Sequence, residues 1–112
     1  MNIKNAITSQ EELENILVLN EAVLLYFKTN SCVVGEAVEP KINDLIKSKF
    51  PKIKTFSVDM NLAPNIAANY SVFVEPTVIV FFQGKETIKK SRSFSILELE
   101  ETLKRPYELI FE

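Results

Sequence analysis

Apolar positions along the chain fall into two distinct rhythms. Ala22-Val23-Leu24-Leu25-Tyr26-Phe27 and Thr77-Val78-Ile79-Val80-Phe81-Phe82 are continuous β-prone runs. Each is too short for a typical buried helix and reads as a strand covered on both faces, the first of them central. Elsewhere the spacing is helical. Ser9 followed by Glu12 is a capping box in which each side chain satisfies a free backbone N–H, and Leu13, Ile16 and Leu17 then predict a helix over about residues 9 to 19. After the polar break Thr29-Asn30-Ser31, the positions Val34, Val38, Ile42, Leu45 and Ile46 trace one face of a long helix ending near Phe50-Pro51. Pro40 should kink it. Ile53 to Val58 predicts a strand and Leu62 to Tyr70 a short helix, with room for one more short strand around Ile3. Gln83-Gly84 is a turn leading into Glu86 to Lys90, so the second apolar run opens a hairpin. Ser95 with Glu98 caps a last helix carrying Ile96, Leu99 and Leu103, closed near Pro106.

The resulting order predicts a single α/β domain over residues 1–112. A helix between the two earlier strands makes them parallel, and the hairpin adds an antiparallel edge. Helices then cover both faces of a mixed sheet.

Composition narrows the chemistry. The 112 residues contain one cysteine, Cys32, and no histidine. Neither a structural zinc site of thiolates and imidazoles, an intramolecular disulfide, nor a Ser-His-Asp or Cys-His pair can be assembled within the chain. Two glycines, Gly35 and Gly84, lie too far apart for a phosphate-cradling loop. Thirteen basic and 15 acidic side chains give a net charge of −2, with no long-range field to gather nucleic acid or an anionic membrane surface. No apolar run near the start has the length of a secretory signal, and none elsewhere approaches a membrane span. Together with an unpaired cysteine, which suits a reducing compartment, this predicts a cytoplasmic protein without a cofactor or metal.

Cys32 follows a central strand and precedes a long helix. Free N–H groups and partial positive charge at a helix start stabilise a thiolate, so a nucleophilic thiol there is chemically sensible. The alternative for a lone cysteine is a small buried hydrophobe. Lys47, Lys49, Lys52 and Lys54 near one helix end, and Lys85, Lys89, Lys90 and Arg92 along the hairpin, read as solvated faces or as docking patches for an acidic partner. Asp59 ends a strand and is expected to cap the short helix that follows. The apolar tail 107–112 is expected to pack on its own core, leaving a monomer, with a partner or self-association surface as the alternative.

Taken in order, Val23-Leu24-Leu25-Tyr26-Phe27, Ser31-Cys32, Pro40, Val58-Asp59, Glu75-Pro76-Thr77 and Phe81-Phe82-Gln83-Gly84-Lys85 resemble thioredoxin. The resemblance implies a three-layer thioredoxin-like sandwich. It also implies a nucleophilic Cys32 at a helix start and a cis-proline at Pro76, followed by Thr77, lying against it. Where that family has its second cysteine this chain has Gly35, in Cys32-Val33-Val34-Gly35; Ser31 replaces the usual tryptophan, and the family's buried aspartate falls at Tyr26. The glycine usually found after the hairpin is replaced near Arg92. The implied function is thiol–disulfide chemistry by monothiol exchange at Cys32. Ser31, Val33, Val34, Gly35, Glu75, Pro76 and Thr77 form the binding surface, and the partners are protein thiols and disulfides or a low-molecular-weight thiol. The alternative is a redox-inactive binding module on the same fold, receiving a peptide or protein segment beside Pro76.

Overall fold

The computed structural model describes residues 6–29, 33–91 and 94–111, and the side chains of residues 38 onward in the second helix. Within these residues the chain runs α1 (Gln10–Leu19), β1 (Ala22–Lys28), α2 (Val33–Lys49), β2 (Lys54–Asp59), α3 (Pro64–Asn69), β3 (Thr77–Phe82), β4 (Lys85–Ser91) and α4 (Ile96–Phe111). The four strands make one sheet in the order β2-β1-β3-β4. β1 pairs parallel with β2 and antiparallel with β3, while β4 pairs antiparallel with β3. The short strand anticipated around Ile3 lies outside the described residues; next to it, Ala6 bridges Ser57 in parallel.

Alternation along β1 and β3 divides the core into two layers. Leu24, Tyr26, Val78 and Val80 face Ile42, Leu45 and Ile46 of α2 and Leu99 and Leu103 of α4. Val23, Leu25, Phe27, Ile79 and Phe81 face Leu13 of α1 and Ile66 and Ala67 of α3. β1 and β3 are buried along their whole length apart from the final Lys28 of β1, because each contributes to both layers. Phe81 and Phe82 accordingly fill opposite layers.

Local chemistry sets most element boundaries. Ser9 caps α1 by accepting from the Glu12 N–H. The return bond differs from the expected box: Glu12 accepts from the Thr8 N–H at 3.1 Å, one residue earlier. Gln83 and Gly84 both have positive φ, 55° and 78°, the twist a two-residue hairpin turn needs.

Two expectations are corrected. Asp59 does not cap α3, whose N-cap is Ala63 with Pro64 in the first turn. Its carboxylate instead accepts the Asn61 N–H at 2.9 Å and the Leu62 N–H at 3.4 Å, folding the turn that leads there. The last helix does not close at Pro106 but continues to Phe111. An interior proline costs a helix on the order of 3 kcal/mol, and packing beyond it offsets that cost. Tyr107 lies edge-on to Phe50, with 5.1 Å between ring centroids, and tilted against Phe111 at 4.8 Å. Its hydroxyl accepts the Lys52 N–H, and Lys52 Nζ sits 5.4 Å from the Phe111 ring centroid.

Most basic side chains described in these patches are occupied within the fold. Lys49 pairs with Glu100, Lys90 with Glu98, and Lys89 donates to the carbonyls of Tyr70 and Ser71. Arg92 lies outside the described residues. A hydrogen bond from Lys90, with the ammonium charge beside it, holds the Glu98 carboxyl below its ordinary pKa. Since the folded value is depressed, the stabilisation is present above the unfolded value, about 4.3, and is lost as pH falls through the folded midpoint. Carboxyl chemical shifts should therefore give Glu98 a midpoint below that of an unfolded glutamate. Lys90→Met should return it upward.

Candidate active site

Three segments meet at one end of the sheet. The register aligns Phe27 with Val58 on one side and with Thr77 on the other, so the end of β1 lies between the end of β2 and the start of β3. The Glu75–Pro76 peptide bond is cis. Thr77 is fully buried and pins the turn containing that bond: its hydroxyl donates to the Val74 carbonyl at 2.7 Å and bonds the Ser91 hydroxyl at 3.2 Å.

A second tie joins the proline segment to β1. Thr29 Oγ1, one residue past the strand, donates to Glu75 Oε1 at 2.9 Å. The other carboxylate oxygen of Glu75 is closed to water and has no hydrogen-bond donor among the described residues. Lys28 Nζ lies 3.1 Å from Glu39 Oε1, and Glu39 is only 3% exposed although it is a glutamate on a helix. That ion pair joins the end of β1 to α2 on the other side of Cys32 in the sequence.

Cys32 and Ser31 lie outside the described residues, as do the side chains of Val33, Val34 and Gly35. The backbone of residues 33–35 opens α2, and Cys32 immediately precedes it in the chain. Glu75, Pro76 and Thr77 occupy the start of β3, bonded to the residue that follows β1. Sequence reasoning had singled out neither Thr29 nor the Lys28–Glu39 pair. One signal for the pair was present: Glu39 shares the helical spacing 39, 42, 46 with two buried isoleucines, and a carboxylate on such a stripe needs a cationic partner. Thr29 had no comparable signal.

Beside Pro76 the surface is apolar, with Phe73 77% and Val74 37% exposed. A groove of about 670 Å³ lies elsewhere, lined by Leu17, Leu19, Glu21 and the hairpin turn Gln83-Gly84. Glu21 opens onto the start of β1, whereas the cis-proline lies by its end, so the groove is remote from these groups. Among the described residues there is no cluster of metal-ligating side chains, and no helix is long and apolar enough to cross a membrane.

The thioredoxin family model matches residues 4–105. This chain belongs to the thioredoxin family. It is 29% identical over 97 residues to the thioredoxin-like protein YdfQ of Bacillus subtilis, covering 87% of this chain and 86% of that protein. It is 33% identical over 99 residues to a thioredoxin of Mycoplasmoides gallisepticum, covering 88% and 97%. Among solved structures, mitochondrial thioredoxin 3 of Saccharomyces cerevisiae superposes with a TM-score of 0.82 at 22% identity, covering 89% of this chain and 92% of that one, which shows the shared fold. The three-layer α/β sandwich expected of a thioredoxin-like chain is therefore present, and the family is one of thiol–disulfide redox proteins.

Proposed function

We propose that this protein, as a single cytoplasmic thioredoxin-like domain acting as a monomer, carries out monothiol exchange through Cys32. The reading is supported above all by one arrangement: the only cysteine of the chain directly precedes α2, while the cis-proline segment is bonded to Thr29, three residues before that cysteine. Backbone N–H groups at the start of a 17-residue helix favour the thiolate. The thiolate attacks one sulfur of a partner disulfide, a protein–partner S–S bond forms, and the electron pair of the broken bond leaves on the other sulfur. In a dithiol protein a second cysteine releases the partner at high effective concentration. Gly35 stands at that position here, so release falls to an external thiol, either a protein thiol or a low-molecular-weight one. Ser31, Val33, Val34, Gly35, Glu75, Pro76 and Thr77 form the surface that receives the partner, without a cofactor, metal or nucleic acid.

An insulin reduction assay tests this. The wild-type chain should show little turnover, and Gly35→Cys should recover measurable turnover by restoring the resolving step. Strong wild-type turnover would contradict the role given to Gly35. One observation favours a second reading, a binding module without redox chemistry: Phe73 and Val74 present an apolar surface directly before the proline segment.

A further inference from the structure

Glu75 stands at an unusual place for a carboxylate. It adjoins the cis-proline, accepts one hydrogen bond from Thr29, and keeps its second oxygen sealed from water without a donor among the described residues. An unsatisfied buried oxygen gains a good deal from any donor brought to it, more so from a cation. Two ammonium groups on neighbouring strands are committed elsewhere. Lys28 is held by Glu39 at 3.1 Å, and Lys89 spans the carbonyls of Tyr70 and Ser71 at 2.8 and 3.0 Å. No lysine or arginine among the described residues forms an ion pair with Glu75.

Among the described side chains, the surrounding segments do not offset its charge. Lys28 ends β1, Asp59 ends β2 opposite it in register, Glu39 joins Lys28 from α2, and Glu75 precedes β3. These are three carboxylates against one ammonium, while residues 29–32 and 60–63 carry no charged side chain. Asp59 is spent on the Asn61 and Leu62 amides, which leaves Glu75, among the described side chains, as the carboxylate without a cation beside the proline. Two residues lie between Thr29 and Cys32, so three Cα–Cα steps keep their Cα atoms at most about 11 Å apart. Measured from Thr29, which holds Glu75, that is about one Debye length at moderate salt.

We infer that Glu75 is a specificity-determining residue of the exchange site: it favours disulfides and thiols flanked by cationic groups and disfavours anionic ones, tripeptide thiols of the glutathione class included. The inference rests on the monothiol reading above. In the step concerned, the Cys32 thiolate bonds to one sulfur of the partner, the partner S–S bond breaks, and its electron pair leaves as a thiolate that takes a proton from solvent.

Two small symmetric disulfides of opposite charge test it: cystamine, with two ammonium groups, and dithiodipropionate, with two carboxylates. Intact-mass kinetics give the rate of mixed-disulfide formation for each at one pH. The thiolate fraction cancels in the ratio of the two rates, which therefore reads the local charge. The cystamine-to-dithiodipropionate ratio should be about fivefold or more higher for wild type than for Glu75→Gln, a variant whose amide oxygen still accepts from Thr29. In wild type the ratio should collapse toward that of the variant at about 1 M salt, a measurement that needs no variant to fold. Equal ratios for wild type and Glu75→Gln, or a wild-type ratio insensitive to salt, would overturn the specificity role while leaving monothiol exchange standing. No reaction of the native protein with either disulfide would overturn the exchange reading and this inference with it.

Discussion

Cys32→Ser should abolish mixed-disulfide formation outright. The expected loss is total because the chain holds one sulfur nucleophile and a serine hydroxyl does not ionise near neutral pH, so no second group inherits the reaction. Wild type incubated natively at neutral pH with a thiol reagent should gain one adduct by mass spectrometry, and the variant none. The same pair separates the two functional readings. Partners held through a disulfide should be released by reductant and be missing from Cys32→Ser, whereas partners held by the surface around Phe73, Val74 and Pro76 should persist with the variant. A native thiol that fails to react, while the denatured chain reacts readily, would remove the basis for monothiol exchange.

Phe27→Ala should produce the largest loss of stability among single substitutions near the site. The ring is fully buried in the layer formed with α1 and α3, and its strand is hydrogen-bonded on both sides, to Val58 and Thr77 in register. A strand paired on both sides cannot collapse into the space left behind, so the cavity cost adds to the lost transfer free energy. Truncations of this kind cost about 3 to 5 kcal/mol, which is a large share of the roughly 5 to 15 kcal/mol that holds a small domain together. Urea unfolding should show a much lower midpoint with little change in slope. By contrast Phe73→Ala, at a largely exposed ring, should fall within about 0.5 kcal/mol of wild type. A loss below about 1 kcal/mol for Phe27→Ala would mean that the layer repacks freely, contrary to the packing described.

How legible each feature was depends on whether its cause is local. Ser9, Gln83-Gly84 and Ser95 mark element ends because a cap or a positive-φ turn is decided by neighbouring atoms, and α1, the hairpin and the start of α4 lie where those residues indicate. The two unbroken apolar runs announce central strands because only a strand with a layer on each face buries every residue. Pro106 misled for the complementary reason. The local rule ends a helix there, but Phe50 and Lys52, more than fifty residues earlier, hold Tyr107 and Phe111 and carry the helix onward. Asp59 misled through loop geometry, since Pro64 and Ala63 place the helix start four residues beyond it.

The sequence by itself therefore determined the layers, the strand and helix order, the family resemblance and the single candidate nucleophile, because periodicity, capping and residue identity are properties of neighbouring positions. Only the tertiary structure decided that Thr29 holds Glu75, that Lys28 is spent on Glu39, that Thr77 fastens the proline turn to Ser91, and that one oxygen of Glu75 is left without a donor among the described residues. The first three of those facts join residues 11 to 46 positions apart. Whether a charge is paired, sealed or open to a partner depends on which segments the sheet brings together, and that depends on strand register across the whole fold.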